Sequence, residues 1–197
     1  MNIFDQIASR YDSPKQLKLG EIITKEVKQK LRDTKGETLL DYGCGTGLIG
    51  LELVNEFAEI IFVDPSVEMI RIVEQKIKQM KIVNAKTIAD CFSEEHVLGV
   101  KADIIIVSLV LLHVPDTEDL LKELYDVLNP NGEILIVDFD KNEKINHEKV
   151  HNGFLQDELK NQFTLAGFKN ITSSTFYHGE KIFMNQDATM FILRGEK

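Results

Sequence analysis

The sequence predicts an α/β fold: a doubly wound, mostly parallel sheet of seven strands, with helices on both faces and an antiparallel C-terminal hairpin. Three observations carry this expectation. Short apolar runs alternate with helix-period segments along most of the chain, as a parallel sheet with crossover helices requires. The run Asp103–Val107 is almost uniformly apolar, as suits a strand buried on both faces. The last two strand-like runs have only a loop between them, so they should pair antiparallel at one sheet edge.

The elements follow in order. Leu19, Ile22, Ile23, Val27 and Leu31 recur at helical spacing among lysines and glutamates, which predicts an amphipathic N-terminal helix. Thr38–Asp41 reads as the first strand, Leu48–Phe57 as a helix and Glu59–Val63 as the second strand. Asp64-Pro65-Ser66 opens a helix with Val67, Ile70, Val73, Ile77 and Met80 on one face, Pro suiting its first turn. Ala85–Ala89 and Asp103–Val107 are the third and fourth strands.

Asp116 and its neighbours can cap a helix bearing Leu120, Leu121, Leu124, Val127 and Leu128. Asn129-Pro130-Asn131-Gly132 is a turn of type I, followed by the fifth strand, Ile134–Val137. A helix over about Gln156–Ala166 stops at Gly167. Strands at about Lys169–Phe176 and Thr189–Arg194 then form the hairpin, joined by a loop from Tyr177 to Ala188. Right-handed crossovers place the loops after the parallel strands on one edge, where ligands of such sheets bind.

Composition narrows the function. The 197 residues suit one domain with a substantial core. A formal charge of -9 argues against a nucleic-acid backbone as partner, because phosphate binding needs a basic face. No apolar run approaches the roughly 20 residues that span a bilayer, and the N-terminus lacks a signal-peptide pattern. The two cysteines, Cys44 and Cys91, form neither a metal-type pair nor a disulfide framework, which suits a reducing, cytoplasmic setting.

Four glycines between Leu39 and Gly50 allow two registers. Gly45-x-Gly47-x-x-Gly50 fits a dinucleotide fingerprint, with Asp64 about 20 residues on as its ribose carboxylate. Gly43-x-Gly45-x-Gly47, preceded by Asp41, is the alternative. The first register would bury the Asp41 charge inside a central strand and put a glycine there too. The second ends the strand at Leu40, leaves Asp41 on an exposed rim and makes Gly50 a close-packing residue. The second violates fewer rules.

In that register Asp41-Tyr42-Gly43-Cys44-Gly45-Thr46-Gly47 resembles the first motif of class I S-adenosylmethionine-dependent methyltransferases. Phe62 to Met69 resembles the end of that family's second strand, Ala89 to Phe92 the third, and Ala102 to Ser108 with Leu112-His113-Val114 the fourth strand and its loop. Leu128 to Glu133 resembles the turn before its fifth strand. Phe4-Asp5-x-x-Ala8-x-x-Tyr11-Asp12 resembles its N-terminal opening, and Ala166-Gly167-Phe168 its late helix end. The resemblance covers nearly the whole chain and implies a Rossmann-like methyltransferase domain. Residues 1–35 would form a helical lid, 36–138 the cofactor core, and 139–197 the substrate-side segment, late helix and hairpin.

Residue by residue, the resemblance implies that Asp41, Gly43, Gly45 and Gly47 hold the methionine part of S-adenosyl-L-methionine, and that Ser108 contacts the same end. Asp64 would bind the ribose hydroxyls, Asp90 the adenine amino group, and Met69 and Phe92 the adenine faces. Cys44, Pro65, Ser66 and Cys91 stand beside these in the same loops and are counted with the cofactor side. Other readings stay open: Asp90 as a helix-start carboxylate, Met69 and Phe92 as core, Cys44 as loop filler.

Methyl transfer is an in-line displacement at an activated carbon, and it needs a base only where the acceptor must lose a proton. The candidates are His113, His147 and His151, with Tyr11 in the lid. The segment from His147 to Phe154 resembles a Val-His-x-Gly-Phe pattern of some small family members. His147 and His151 have a spacing that could bind zinc, but no third ligand is evident, so no metal is expected. The expected function is methyl transfer to a small-molecule acceptor by a monomer or homodimer, without nucleic-acid or membrane partners. An NAD-dependent oxidoreductase and a non-catalytic cofactor-binding protein are the alternatives.

Overall fold

The structure is a computed structural model and describes residues 3–91 and 99–197. Seven strands form one mixed sheet in the order β3-β2-β1-β4-β5-β7-β6, numbered by chain order: β1 Thr38–Tyr42, β2 Glu59–Val63, β3 Ala85–Ile88, β4 Ala102–Ser108, β5 Leu128–Phe139, β6 Lys169–Phe183 and β7 Gln186–Glu196. The pairs β1·β2 and β2·β3 are parallel, and β5·β7 and β6·β7 antiparallel. The chain divides into two compact units, Met1–Ile104 and Ile105–Lys197, the boundary falling within β4.

The first unit opens with α1 (Ile3–Ile7), a 3-10 turn (Ala8–Arg10) and α2 (Pro14–Lys30). Ser13 caps α2 by accepting the Gln16 N–H, and Pro14 fits its first turn. The stripe Leu19, Ile23 and Val27 is buried as the spacing predicts. Ser66 caps α3 (Val67–Met80) through the Met69 N–H, and Lys81 closes it in a left-handed conformation. Pro65 therefore lies outside the helix, not in its first turn. The buried face of α3 is Met69, Ile70 and Val73; Val67 and Met80, expected there, are 61% and 54% exposed.

In the second unit Asp116 caps α4 (Thr117–Val127) through the Asp119 N–H, and the four leucines and one valine expected on its core face are buried, Leu128 among them as the first residue of β5. The helix α5 (Gln156–Ala166) ends at Gly167, which takes φ 107° as a left-handed cap. In β4, Ile104, Ile105, Ile106 and Val107 have no exposed surface, worth on the order of 2 kcal/mol each.

Four expectations are corrected. The strand β1 runs to Tyr42, with Asp41 paired to Phe62, so Asp41 lies inside the strand rather than on an exposed rim. The helix expected at Leu48–Phe57 is a set of turns around one short 3-10 helix, Gly50–Leu53. The hairpin is longer than its apolar runs: β6 and β7 continue to Phe183↔Gln186, leaving only Met184 and Asn185 as the turn. Both take positive φ (47° and 62°), as a two-residue hairpin turn of the favoured hand requires. The segment 129–132, expected as a type I turn before the fifth strand, falls inside β5, and Asn131 takes φ 65°, which a type I turn does not allow.

Candidate functional site

In the first unit the chain leaves β1 through Gly43, Gly45 and Gly47, with φ of 70°, 52° and 79°. The loop begins at Gly43, as the chosen register has it. The Gly43 and Cys44 N–H groups both donate to the Val63 carbonyl (2.8 and 3.0 Å). A Cβ on Gly47 would come within 2.9 Å of Leu51 Cδ1, so that position needs both the left-handed backbone and the missing side chain.

Asp41 supports the turns that follow. Its Oδ2 accepts the Gly50 N–H at 3.1 Å, a donor that the first turn of a helix leaves without a backbone partner. The Thr46 carbonyl accepts from Lys76 Nζ at 2.8 Å. Asp41 is 3% exposed, and burial pushes its pKa up to about 7 against the opposing Gly50 hydrogen bond, with Asp64 adding to the rise. Gly50 packs: a Cβ there would lie 2.5 Å from both Asp41 Oδ2 and Phe62 Cε1.

At the end of β2, Asp64 bridges two backbone groups, Oδ2 accepting the Gly45 N–H and Oδ1 the Ser66 N–H, each at 2.8 Å. It is 7% exposed, and burial raises its pKa. The N-terminal segment is fastened over this loop. Ser66 Oγ donates to Asp5 Oδ1 at 2.6 Å, and Asp12 accepts from Thr46 Oγ1 and from Lys76 Nζ (2.7 Å). Tyr11 Cε1 lies 3.8 Å from where a Gly45 Cβ would sit. Burial, then Asp64 and Asp12, raises the Tyr11 pKa.

The remaining candidates of this unit differ in accessibility. Met69 is 1% exposed and Cys44 9%; burial, then Asp41 and Asp64, raises the Cys44 thiol pKa and keeps it unreactive. Pro65 is exposed, Asp90 and Cys91 are half-buried, and Asp90 Oδ1 accepts the Cys91 N–H at 2.8 Å. Phe92 lies outside the described residues.

The second unit gathers the other candidates. Ser108 ends β4 with its Oγ shielded from solvent and without a hydrogen-bond partner among the described residues. Leu109 follows in a left-handed conformation (φ 54°), strained for a branched residue. The chain then makes the 3-10 turn Leu111–His113. All three histidines named from the sequence, His113, His147 and His151, line one cleft of about 300 Å³ with Val114, Pro115 and Lys149. His113 reaches solvent, yet burial of the ring, then His147, lowers its pKa. His151 Nε2 faces the Val114 carbonyl at 2.8 Å, so Nε2 carries a proton, and in the neutral ring Nδ1 is the acceptor. His147 Nδ1 accepts the Lys149 N–H at 3.1 Å.

Sequence reasoning missed four partners. Asp5 and Asp12 stood in the N-terminal opening without a role, and Lys76 looked like any lysine on a polar helix face. Asp138, fully buried in β5, gave no local sign of its targets, the Leu112 and Phe139 N–H groups. Among the described residues no group of three His, Cys, Asp or Glu could hold a metal ion, and no helix is long and apolar enough to cross a membrane.

A family profile described as a methyltransferase domain matches residues 15–173. An uncharacterized methyltransferase of Schizosaccharomyces pombe is 25% identical over 154 residues, 68% of this chain and 54% of the relative. A demethylmenaquinone methyltransferase of Oceanobacillus iheyensis is 25% identical over 166 residues, 76% of this chain and 66% of the relative. The chain thus spans between half and two thirds of these relatives. A crystal structure of a SAM-dependent methyltransferase from Aquifex aeolicus superposes with a TM-score of 0.71 at 18% identity, covering 98% of this chain and 97% of that one.

Proposed function

This chain belongs to the methyltransferase-domain family, and on that premise we propose that it is an S-adenosylmethionine-dependent methyltransferase acting on a small-molecule acceptor. The observation that carries the reading is Asp64, whose two oxygens bridge Gly45 and Ser66 at the mouth of the glycine loop. A carboxylate has about four lone-pair sites, so each oxygen keeps room for one ribose hydroxyl. The side of Gly45 that Tyr11 faces leaves backbone for the methionine part.

The bound cofactor supplies a methyl group already activated by its sulfonium, so the protein's task is placement and exclusion of water. In this reading Gly43, Gly45 and Gly47 present backbone, Asp64 orients the ribose, Asp90 accepts from the adenine amino group, and Met69 stands behind the ring. Asp41 supports the loop from beneath instead of touching the ligand. Tyr11 shields the loop. Ser108 has a hydroxyl that a polar ligand atom would satisfy. His113, held neutral at pH 7 by its lowered pKa, and His151 through Nδ1 would take a proton from an acceptor that must lose one. The protein would work in the cytoplasm as a monomer or homodimer.

Calorimetry with S-adenosylmethionine and with its demethylated product tests the reading: both should bind, and binding of neither by folded protein overturns it. Tight binding of NADH in a fluorescence titration would favour the oxidoreductase alternative. Turnover of the cofactor across a metabolite panel separates an enzyme from a protein that only binds.

A further inference from the structure

The proposed function leaves the buried carboxylate Asp138 without a role. Asp138 is 0% exposed near the end of β5. Its Oδ2 accepts the Leu112 N–H at 3.3 Å and its Oδ1 the Phe139 N–H at 2.8 Å, and the Leu111 N–H also bonds it. Leu111 and Leu112 belong to the first turn of a 3-10 helix, where N–H groups have no partner within the helix. A buried carboxylate supplies the missing acceptor.

The same turn holds a histidine from its other side. The Leu112 carbonyl accepts the His151 N–H at 2.8 Å, and the Val114 carbonyl accepts His151 Nε2 at 2.8 Å. His113 lies between these two peptide units. Asp138 thus fixes the N–H side of a turn whose C=O side fixes His151.

We propose that Asp138 is a positioning residue: it seats the 111–113 turn and so sets where His113 and His151 stand in their cleft. Its bearing on methyl transfer rests on the proposed function; the positioning does not. An apolar residue would fill the same volume at less desolvation cost, so the acceptor oxygens are what the site uses. Burial, against the opposing backbone hydrogen bonds, pushes its pKa to about 7.

The test compares the full chain with Asp138→Leu and Asp138→Asn. It uses amide hydrogen exchange and ¹⁵N spectra of the histidine rings across pH, with His178 as control, its ring bonded to Thr189 Oγ1 at 3.0 Å. In Asp138→Leu the Leu112 and His151 amides should exchange at least tenfold faster. The His113 pKa should rise toward the ordinary imidazole range, and His151 should lose the signature of a single Nε2–H tautomer, while His178 is unchanged. Asp138→Asn keeps one acceptor oxygen and should recover part of each effect. Wild-type exchange at Leu112 and His151, with His113 and His151 unmoved, overturns the proposal. If Asp138→Leu does not fold, Asp138→Asn decides by the same readings. Failure of the wild-type chain to bind S-adenosylmethionine would sink the proposed function and leave these readings intact.

Discussion

Two turns, one in each compact unit, are built on the same device and carry different cargo. After β1 the chain reaches the 3-10 turn that begins at Gly50, whose N–H rests on buried Asp41. After β4 it reaches the 3-10 turn of Leu111–His113, whose Leu112 N–H rests on buried Asp138. Burial pushes both carboxyls to about 7. The first turn follows a loop that offers backbone, so glycine stands wherever a side chain would intrude. The second offers imidazoles, and its residues Leu111–His113 include no glycine. A buried acid at a strand end can therefore anchor a turn without taking part in what the turn presents.

The largest expected effect tests where close packing is least forgiving. At Gly153 (φ 95°) a Cβ would lie 2.4 Å from the Asp140 carbonyl oxygen, and backbone cannot step aside. At Gly50 the obstacles are side chains, the Asp41 carboxylate and Phe62. Gly153→Ala should cost about 3 kcal/mol or more and Gly50→Ala about 2 kcal/mol in urea unfolding. The reverse order would mean that the turn in the first unit is the stiffer one.

Next comes pH. Each aspartate has a folded pKa near 7 against an ordinary value of 3.8, so the folded chain binds its proton more tightly. The resulting stabilisation is full below about pH 4, declines as pH rises, and is gone above about pH 7. Asp41→Asn and Asp138→Asn should each remove that slope. The difference in unfolding free energy between wild type and variant should therefore shift in the variant's favour from pH 4 to pH 8. Parallel curves for one variant only would break the likeness between the two turns.

A smaller effect separates anchoring from binding. Asp64→Asn should weaken S-adenosylmethionine binding roughly tenfold, the scale of one charge-assisted hydrogen bond, as read by calorimetry. Unchanged affinity would make Asp64 another anchor like Asp41. The smallest concerns Cys44: its buried thiol should stay unmodified by iodoacetamide in native protein at pH 8 while reacting fully in urea. A Cys44 adduct on the native chain, seen by peptide mass mapping, would mean that the glycine loop opens.

Local signals were read well from the sequence, and long-range ones were not. The bounds of α5 and its Gly167 stop, the Asp116 cap and the start of the glycine loop are all written within a few neighbouring residues. Asp41 read as a rim carboxylate because a charge in an apolar strand looks costly; its compensating donor sits nine positions on, where sequence shows only a glycine. Asp138 has its donor 26 residues back and left no trace at all. The hairpin's outer half sets few apolar residues among polar ones, so its apolar runs stop short there, although Phe183 is buried and stacks on Phe139 at 4.4 Å. The three histidines were named by loop position, but the carbonyls that hold His151 could not be.

The single proton placement at His151 makes its two ring nitrogens separable by mutation. Glutamine reaches the position of Nε2 and can keep donating to the Val114 carbonyl, while leaving nothing basic where Nδ1 stood. Asparagine reaches only as far as Nδ1 and lets the tether go. Glutamine thus removes the basic nitrogen and keeps the strut, asparagine removes both, and the difference between the two variants reports the strut alone.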